Sequence, residues 1–172
     1  EKAFKEAAAV VETTLDFARH TGVTLESRGI VADWNKAENK MTIYHNGQAP
    51  HMMQHIIAKH LDLNEGLVRI VSRDVGGSFG IKVHVYPDEM AVTAISKKIG
   101  RPVKFIADRL ESFTTDIHAR CHKISGKLGI DKNGKILAME INDLSGIGPF
   151  SMYPRTSAIE TNQVLNLSGA PY

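Results

Sequence analysis

A glycine-rich turn directly after a short apolar strand restricts the fold of this chain most strongly. Leu67–Val71 has the composition of a buried strand, and the segment 74–80 follows it, with three glycines between Gly76 and Gly80. Glycine tolerates positive φ and lets bare backbone approach another molecule closely. Successive N–H groups in such a turn can form an anion-binding nest. Phe79 is unusual there because a large apolar ring in a glycine turn needs a surface to cover. Such a turn, with an aromatic ring beside it, would suit an anionic ligand next to a flat or small apolar molecule.

The turn differs from the common nucleotide-binding motifs. No Gly-Lys-Ser/Thr follows it, as a Walker loop requires, and its glycines lack the Gly-x-Gly-x-x-Gly spacing of a dinucleotide site. Judged from the residues alone, a tight strand-to-helix connection is the more common use of such a turn. Both interpretations stay open at this point.

Strand-like and helical periodicities together predict an α+β fold. Helical spacing of apolar residues indicates two main helices, over 51–61 and about 87–99. The Asn133-Gly134 pair is a strong hairpin signal. We therefore predict a mixed or antiparallel sheet with hairpins and two main helices, in a single lobe over residues 1–172. Period-two alternation predicts strands over 11–17, 28–34, 40–45, 122–130 and 135–143.

Four apolar faces are predicted from the spacing of the apolar residues. The apolar residues of the first strand are expected to be buried. One face each of the second strand, the second helix and the last strand is expected to be buried as well. The residues in question are Val11, Leu15 and Phe17; Ile30, Ala32 and Trp34; Met90, Ala91, Ala94, Ile95 and Ile99; and Leu137, Met139 and Ile141.

Composition excludes several classes of function. The net charge of +2 is too small to indicate nucleic acid or a membrane surface as a partner. No apolar run approaches the roughly 20 residues of a membrane helix. The single cysteine, Cys121, excludes an internal disulfide and a multi-cysteine metal site, which fits a reducing, cytoplasmic location. Because the chain starts at Glu1 without methionine, we expect it to be a piece of a longer protein.

Several segments, in order, resemble one known family. Gly76-Gly77-Ser78-Phe79-Gly80 is followed by Lys82, and Gln48 lies upstream, after a predicted strand and before a helix. This arrangement resembles the molybdenum-cofactor-binding large subunit of the molybdenum hydroxylases, the family of xanthine dehydrogenase, aldehyde oxidase and aerobic carbon monoxide dehydrogenase. That family carries Gly-Gly-Gly-Phe-Gly, with a lysine two residues later and a glutamine upstream. Further similar segments are Leu25–Gly29, Gly100–Phe105, Asp108–Glu111 and Lys132–Ala138.

The resemblance implies a cofactor and roles for particular residues. The cofactor would be molybdenum-molybdopterin, in the cytosine-dinucleotide form of bacterial members. The Gln48 amide would donate a hydrogen bond to the oxo ligand of molybdenum, and the Phe79 ring would form a wall of the substrate channel. No protein side chain is expected to ligate the metal. The backbone against the cofactor would be that of Gly76, Gly77, Ser78, Phe79 and Gly80.

The resemblance also implies an activity and its partners. The subunit would hydroxylate or oxidise an aldehyde, an N-heteroaromatic compound or carbon monoxide with oxygen derived from water. Electrons would leave through iron–sulfur and FAD centres on partner subunits. The general-base Glu and the substrate loop of the family would lie beyond Tyr172, so we expect these 172 residues alone to be inactive.

Two residues depart from the family pattern. Ser78 replaces the usual third glycine of the turn. Val83 stands where xanthine-oxidising members carry a substrate-binding Glu, which argues against purine hydroxylation. The motif His84–Pro87 is closer to the branches that oxidise carbon monoxide and heteroaromatic compounds.

The sequence also allows interpretations other than an enzyme. The chain could be a non-catalytic binding or assembly domain in which the glycine turn is only a tight connection, and Gln48 could be an exposed turn residue beside Asn46-Gly47. A zinc site in the histidine-rich segment with His45, His51, His55 and His60 is disfavoured, because zinc needs more ligands than this segment supplies. The charged residues Asp108, Arg109, Glu111 and Arg120 are interpreted as an ion-pair network.

Overall fold

The computed structural model describes residues 1–147 and, beyond them, the single positions Asn162 and Asn166. It divides into two compact units, one formed by Glu1–His20 with the chain from Ala119 onward and one formed by Thr21–His118. The prediction of a single lobe over 1–172 stays a prediction. The helices are α1 (Lys2–Glu6), α2 (Pro50–His60), α3 (Pro87–Ile99) and α4 (Arg109–Thr115). The strands are β1 (Ala9–Phe17), β2 (Gly29–Asn35), β3 (Lys40–His45), β4 (Val68–Val71), β5 (Val103–Ile106), β6 (His122–Ile130) and β7 (Ile136–Ser145).

The first unit is an antiparallel sheet with the strand order β1-β6-β7. The predicted hairpin between β6 and β7 is confirmed, and Gly134 has the positive φ of 83° that its turn requires. The side chain of Asp131 closes this turn by accepting from the N–H groups of Asn133 and Lys135, at 2.7 and 2.9 Å.

The predicted buried faces of β1 and β7 are wrong for the described chain. All nine residues of β1 are exposed, and Leu137, Met139 and Ile141 are 37–45% exposed. Alternation reports that a strand has an apolar face. It does not report which element covers that face.

The second unit is built on a mixed sheet with the strand order β4-β3-β2-β5, in which only β3 and β4 run parallel. Ile30, Ala32 and Trp34 are buried on one face of β2, as predicted. They belong to the same core as the buried face of α2, which includes Met53 and Ile57. The α+β fold with a mixed sheet and two main helices is confirmed.

The orientation of α3 differs from the prediction. Its buried residues are Glu89, Val92, Thr93 and Ser96, whereas Ala91, Ala94, Ile95 and Ile99 are exposed and Met90 is half-buried. The polar members are buried because each has a partner. The Ser96 hydroxyl, for example, accepts from the Trp34 N–H at 3.1 Å and donates to the Arg101 carbonyl at 2.9 Å.

A charged network forms around the fully buried guanidinium of Arg28. It donates to the carboxylates of Asp88, Glu89 and Asp116 at 2.6–3.3 Å and lies 3.7 Å from the centre of the Tyr86 ring. Burial opposes the charged form, but hydrogen bonds to Asp88 and Asp116 outweigh it and raise the pKa of Arg28 above its usual range. This network ties the start of β2 to the start of α3 and the end of α4.

The charged segment that follows β5 is not the predicted ion-pair network. Asp108 accepts from the Glu111 N–H, and Glu111 accepts from the Asp108 N–H, both at 2.8 Å. The two residues form a capping box at the start of α4. Arg109 donates to the Leu25 carbonyl at 2.9 Å instead of to a carboxylate.

Candidate cofactor-binding site

The topology of the mixed sheet brings the predicted site residues together. Gln48 follows the end of β3, and the glycine turn follows the end of β4. Because these two strands are parallel neighbours, paired from Met41↔Val68 to Tyr44↔Val71, their carboxyl ends lie at the same edge of the sheet. That edge is where open sheets with parallel strands commonly bind ligands.

Gln48 and the glycine turn are in direct contact. The Ser78 hydroxyl donates a hydrogen bond to Gln48 Oε1. The same hydroxyl accepts from the Lys82 N–H at 3.2 Å, and the Gln48 N–H donates to the Lys82 carbonyl at 3.1 Å. The two bonds to Gln48 join the loop before α2 to the segment after β4, and the bond between Lys82 and Ser78 closes that segment on itself. The roles assigned to these residues by resemblance stay predictions.

The backbone of the turn has the geometry of an anion nest. Gly77, Phe79 and Gly80 have φ values of 98°, 50° and 85°, with Ser78 outside the positive region. Within the described chain, the N–H groups of Gly77, Ser78, Phe79 and Gly80 make no hydrogen bond. Four successive donors without protein partners are a suitable site for a ligand rich in acceptor oxygens.

Phe79 is the conformationally unusual residue of the turn. Its φ of 50° is left-handed, which costs an L-residue other than glycine roughly 1–2 kcal/mol. Its side chain is also 78% exposed, so burial of the ring within the described chain does not offset that cost. Strain combined with exposure of an aromatic ring is typical of a residue held for contact with a ligand.

A partly buried ion pair supports the turn from the protein side. The Lys82 side chain is fully buried, and its Nζ lies 2.8 Å from Glu26 Oε2. That oxygen also accepts from the Gly76 N–H at 2.8 Å, while the Glu26 N–H donates to the Gly76 carbonyl at 3.2 Å. The hydrogen bond from Lys82 is the main cause that lowers the pKa of Glu26 below its usual value, with burial opposing it. Hydrogen bonds therefore fix the turn at Gly76 and Lys82, whereas the backbone N–H groups of residues 77–80 have no partner within the described chain.

His45 supports the Gln48 side of the site. Its Nε2 lies 3.0 Å from Glu89 Oε1, and both side chains are buried. A Cβ added at Gly47 would collide with the His45 ring, so only glycine fits between that ring and Gln48. Glu89 also accepts from Arg28 at 3.3 Å. The loop of Gln48 therefore rests on the charged network of the unit.

Sequence reasoning did not assign roles to Glu26, Lys82 and His45. Glu26 and Lys82 stood in segments noted for their resemblance, but they lie 56 positions apart and no local pattern indicated that they pair. His45 was considered only as a member of a histidine-rich segment. Within the described residues no group of three potential metal ligands occurs, and His55 is paired with Glu65 at 2.6 Å.

The donor set fits a molybdopterin cofactor. Oxo and phosphate groups accept hydrogen bonds, and the site presents four free backbone N–H groups beside a carboxamide.

A family model described as a molybdopterin cofactor-binding domain matches residues 1–172. The chain belongs to this family.

Three relatives show the extent of the similarity. The chain is 35% identical to the carbon monoxide dehydrogenase large chain of Hydrogenophaga pseudoflava over 86% of its own length and 18% of that protein. It is 30% identical to the nicotine 6-hydroxylase large subunit of Paenarthrobacter nicotinovorans, over 93% of its own length and 20% of that protein. The crystal structure of quinoline 2-oxidoreductase from Pseudomonas putida 86 superposes with a TM-score of 0.89 at 30% identity, covering 95% of this chain and 21% of that one.

The chain thus spans about a fifth of the length of these relatives. It corresponds to one part of a large subunit. No helix among the described residues is long and apolar enough to cross a membrane.

Proposed function

We propose that this chain forms one lobe, residues 1–172, of the molybdopterin site in the large subunit of an oxidoreductase. The complete subunit would hydroxylate or oxidise a small substrate with oxygen derived from water. The observation that carries the proposal is the contact of the Gln48 carboxamide with a turn whose backbone has four unpaired N–H groups, at one edge of the mixed sheet.

The residues of the site have separate tasks in this proposal. The Gln48 Nε2–H group donates to the oxo acceptor of the cofactor, and the N–H groups of Gly77–Gly80 lie against its other acceptors. When bound, the molybdenum cofactor supplies the two-electron redox chemistry. Donors that are already fixed stabilise charge without reorganising. The exposed Phe79 ring lies beside them and lines the approach of the substrate.

The substrate class is proposed from Val83 and from the relatives. Val83 is buried and apolar, so it offers no carboxylate to a purine. Two relatives are named for carbon monoxide and for nicotine, an N-heteroaromatic compound. We therefore place the substrate among carbon monoxide, N-heteroaromatic compounds and aldehydes.

The proposal extends to the cofactor form and the partners. The relatives are named as a large chain and a large subunit, which supports an assembly with smaller subunits. Iron–sulfur and FAD centres on those subunits would accept the electrons, and the cofactor would be the cytosine-dinucleotide form. The single unpaired Cys121 supports a reducing, cytoplasmic location.

Metal analysis of the full-length subunit tests this function. Gln48→Ala is compared with wild type and with Gln54→Ala, a matched control whose carboxamide bonds the Glu65 and Val68 carbonyls away from the turn. We expect near-stoichiometric molybdenum in wild type and control, and reduced molybdenum content and turnover in Gln48→Ala. Absence of molybdenum from the wild-type subunit would instead support a non-catalytic assembly domain. Equal metal content and turnover in all three proteins would reject the assignment of Gln48.

A further inference from the structure

Within the described chain, the hydroxyl of Ser78 is the only side-chain group of the turn that makes a hydrogen bond with Gln48. It accepts from the Lys82 N–H at 3.2 Å and donates its single proton to Gln48 Oε1. Because the Gln48 N–H is bonded to the Lys82 carbonyl, backbone and side chain of Gln48 are both tied to the same short segment. Ser78 is half-buried and Gln48 is exposed, so the bond to the Lys82 N–H is partly shielded from water and the bond between the two side chains is open to it.

This contact decides which end of the carboxamide is available. Oε1 is occupied by the Ser78 hydroxyl, whereas Nε2 makes no hydrogen bond within the described chain. A carboxamide presents an acceptor at one end and two donors at the other. Without a fixed partner the carboxamide can rotate by half a turn, which exchanges the positions of its acceptor oxygen and its donor nitrogen. An acceptor oxygen turned towards an oxo group would repel it, so only one orientation suits the cofactor.

We propose that Ser78 is a positioning residue that holds the Gln48 carboxamide with Nε2 facing the oxo group of the cofactor. This inference rests on the function proposed for Gln48. A glycine at position 78 would complete the same turn but would leave Oε1 without this donor. In this chain the serine hydroxyl thus orients the Gln48 carboxamide.

The expected effect of losing the hydroxyl follows from the strength of one hydrogen bond. A neutral hydrogen bond contributes about 1 kcal/mol net. That corresponds to about a fivefold change in an equilibrium or a rate, given that 1.4 kcal/mol is tenfold. Ser78→Ala should therefore lower kcat/KM about fivefold, and Ser78→Thr, which keeps a hydroxyl, should recover most of the loss.

The experiment uses the full-length subunit in its assembled enzyme. Ser78→Ala, Ser78→Thr, Gln48→Ala and the double variant Gln48→Ala/Ser78→Ala are compared by kcat/KM and by the electron paramagnetic resonance spectrum of Mo(V). Ser112→Ala, on α4, is the matched serine control and should leave both measurements unchanged. We expect Ser78→Ala to shift the spectrum, Ser78→Thr to restore it, and the double variant to equal Gln48→Ala.

Different results separate the two proposals. If Gln48→Ala alters the spectrum but Ser78→Ala does not, the positioning role is wrong and the function of Gln48 stands. A Ser78→Ala loss that is equally large in the Gln48→Ala background also overturns the inference, because Ser78 would then act through the turn alone. If Gln48→Ala itself changes neither measurement, the assignment of Gln48 fails and this inference fails with it.

Discussion

Replacing either member of the Glu26–Lys82 pair should destabilise the protein by very different amounts. The Lys82 side chain is fully buried, whereas Glu26 is 41% exposed. Glu26→Gln leaves the Lys82 ammonium buried without a counter-charge. Breaking a fully buried pair costs about 3–5 kcal/mol, which we reduce to about 2 kcal/mol because water reaches the carboxylate side. Lys82→Met leaves a carboxylate that solvent can hydrate, so its cost should be below about 1 kcal/mol.

Thermal unfolding of the purified protein measures this asymmetry. For a chain of this size, about 2 kcal/mol corresponds to a fall in Tm of about 4–8 °C. Glu26→Gln should show this fall, and the double variant Glu26→Gln/Lys82→Met should recover most of it. A Lys82→Met variant that loses as much stability as Glu26→Gln, or a double variant with strictly additive losses, would refute the reasoning from burial.

The same pair predicts a dependence of stability on pH. The hydrogen bond from Lys82 lowers the pKa of Glu26 in the folded protein. A carboxyl group with a lowered folded pKa binds more protons when unfolded, so its stabilisation is complete above the unfolded pKa. The stabilisation is lost as the pH falls through the lowered folded pKa. Wild type and Lys82→Met should therefore differ in Tm near neutral pH and converge in acid; a constant difference would contradict the role of the pair.

Three further predictions concern backbone and packing. Because residue 79 has positive φ, Phe79→Gly should be about 1 kcal/mol more stable than Phe79→Ala in denaturant titration, and equal midpoints would contradict the left-handed conformation. Gly47→Ala should lower Tm by several degrees because its Cβ meets the His45 ring, whereas Gly126→Ala, with open space around its Cβ, should not; equal Tm values would reject the close packing. Ser96→Ala should cost about 1–2 kcal/mol by leaving a buried backbone N–H without an acceptor, and an unchanged unfolding midpoint would contradict the observed orientation of α3.

Local signals in the sequence were sufficient to predict most of the helices and strands. Both main helices and the hairpin at Asn133-Gly134 are confirmed, because apolar spacing and turn chemistry act over a few residues. The fold class followed from their order along the chain. The buried side of β2 was also predictable, because the core of its own unit covers the apolar face that the alternation creates.

The buried face of α3 was not predictable from hydrophobicity. An apolar stripe selects Ala91 and Ile95, but the helix buries Glu89 and Ser96 because partners from distant segments satisfy their polar atoms. Hydropathy assigns a cost to a buried carboxylate. A hydropathy scale contains no information about Arg28, which lies 61 positions from Glu89 and donates a hydrogen bond to its carboxylate.

The residues of the candidate site could be proposed from the sequence, whereas the residues that support them could not. Gln48 and the turn were identified by resemblance, and their proximity requires that β3 and β4 be parallel neighbours, which alternation alone does not indicate. The Ser78 hydroxyl was considered only as a departure from glycine. Its contact with Gln48 depends on side-chain positions that follow from the folded sheet edge.

Each loop of the site rests on its own cluster of charged side chains, partly buried at the glycine turn and buried at Gln48. Beneath the glycine turn, Glu26 joins Lys82 to Gly76. Beneath Gln48, His45 is paired with Glu89, which in turn is paired with Arg28. Buried charges contribute little net stability compared with apolar packing, but their hydrogen bonds fix directions. A site that must present four N–H groups and one amide without later adjustment needs fixed directions more than it needs additional stability. We therefore interpret the two clusters as the reason why the loops at this edge are held in place before any ligand arrives.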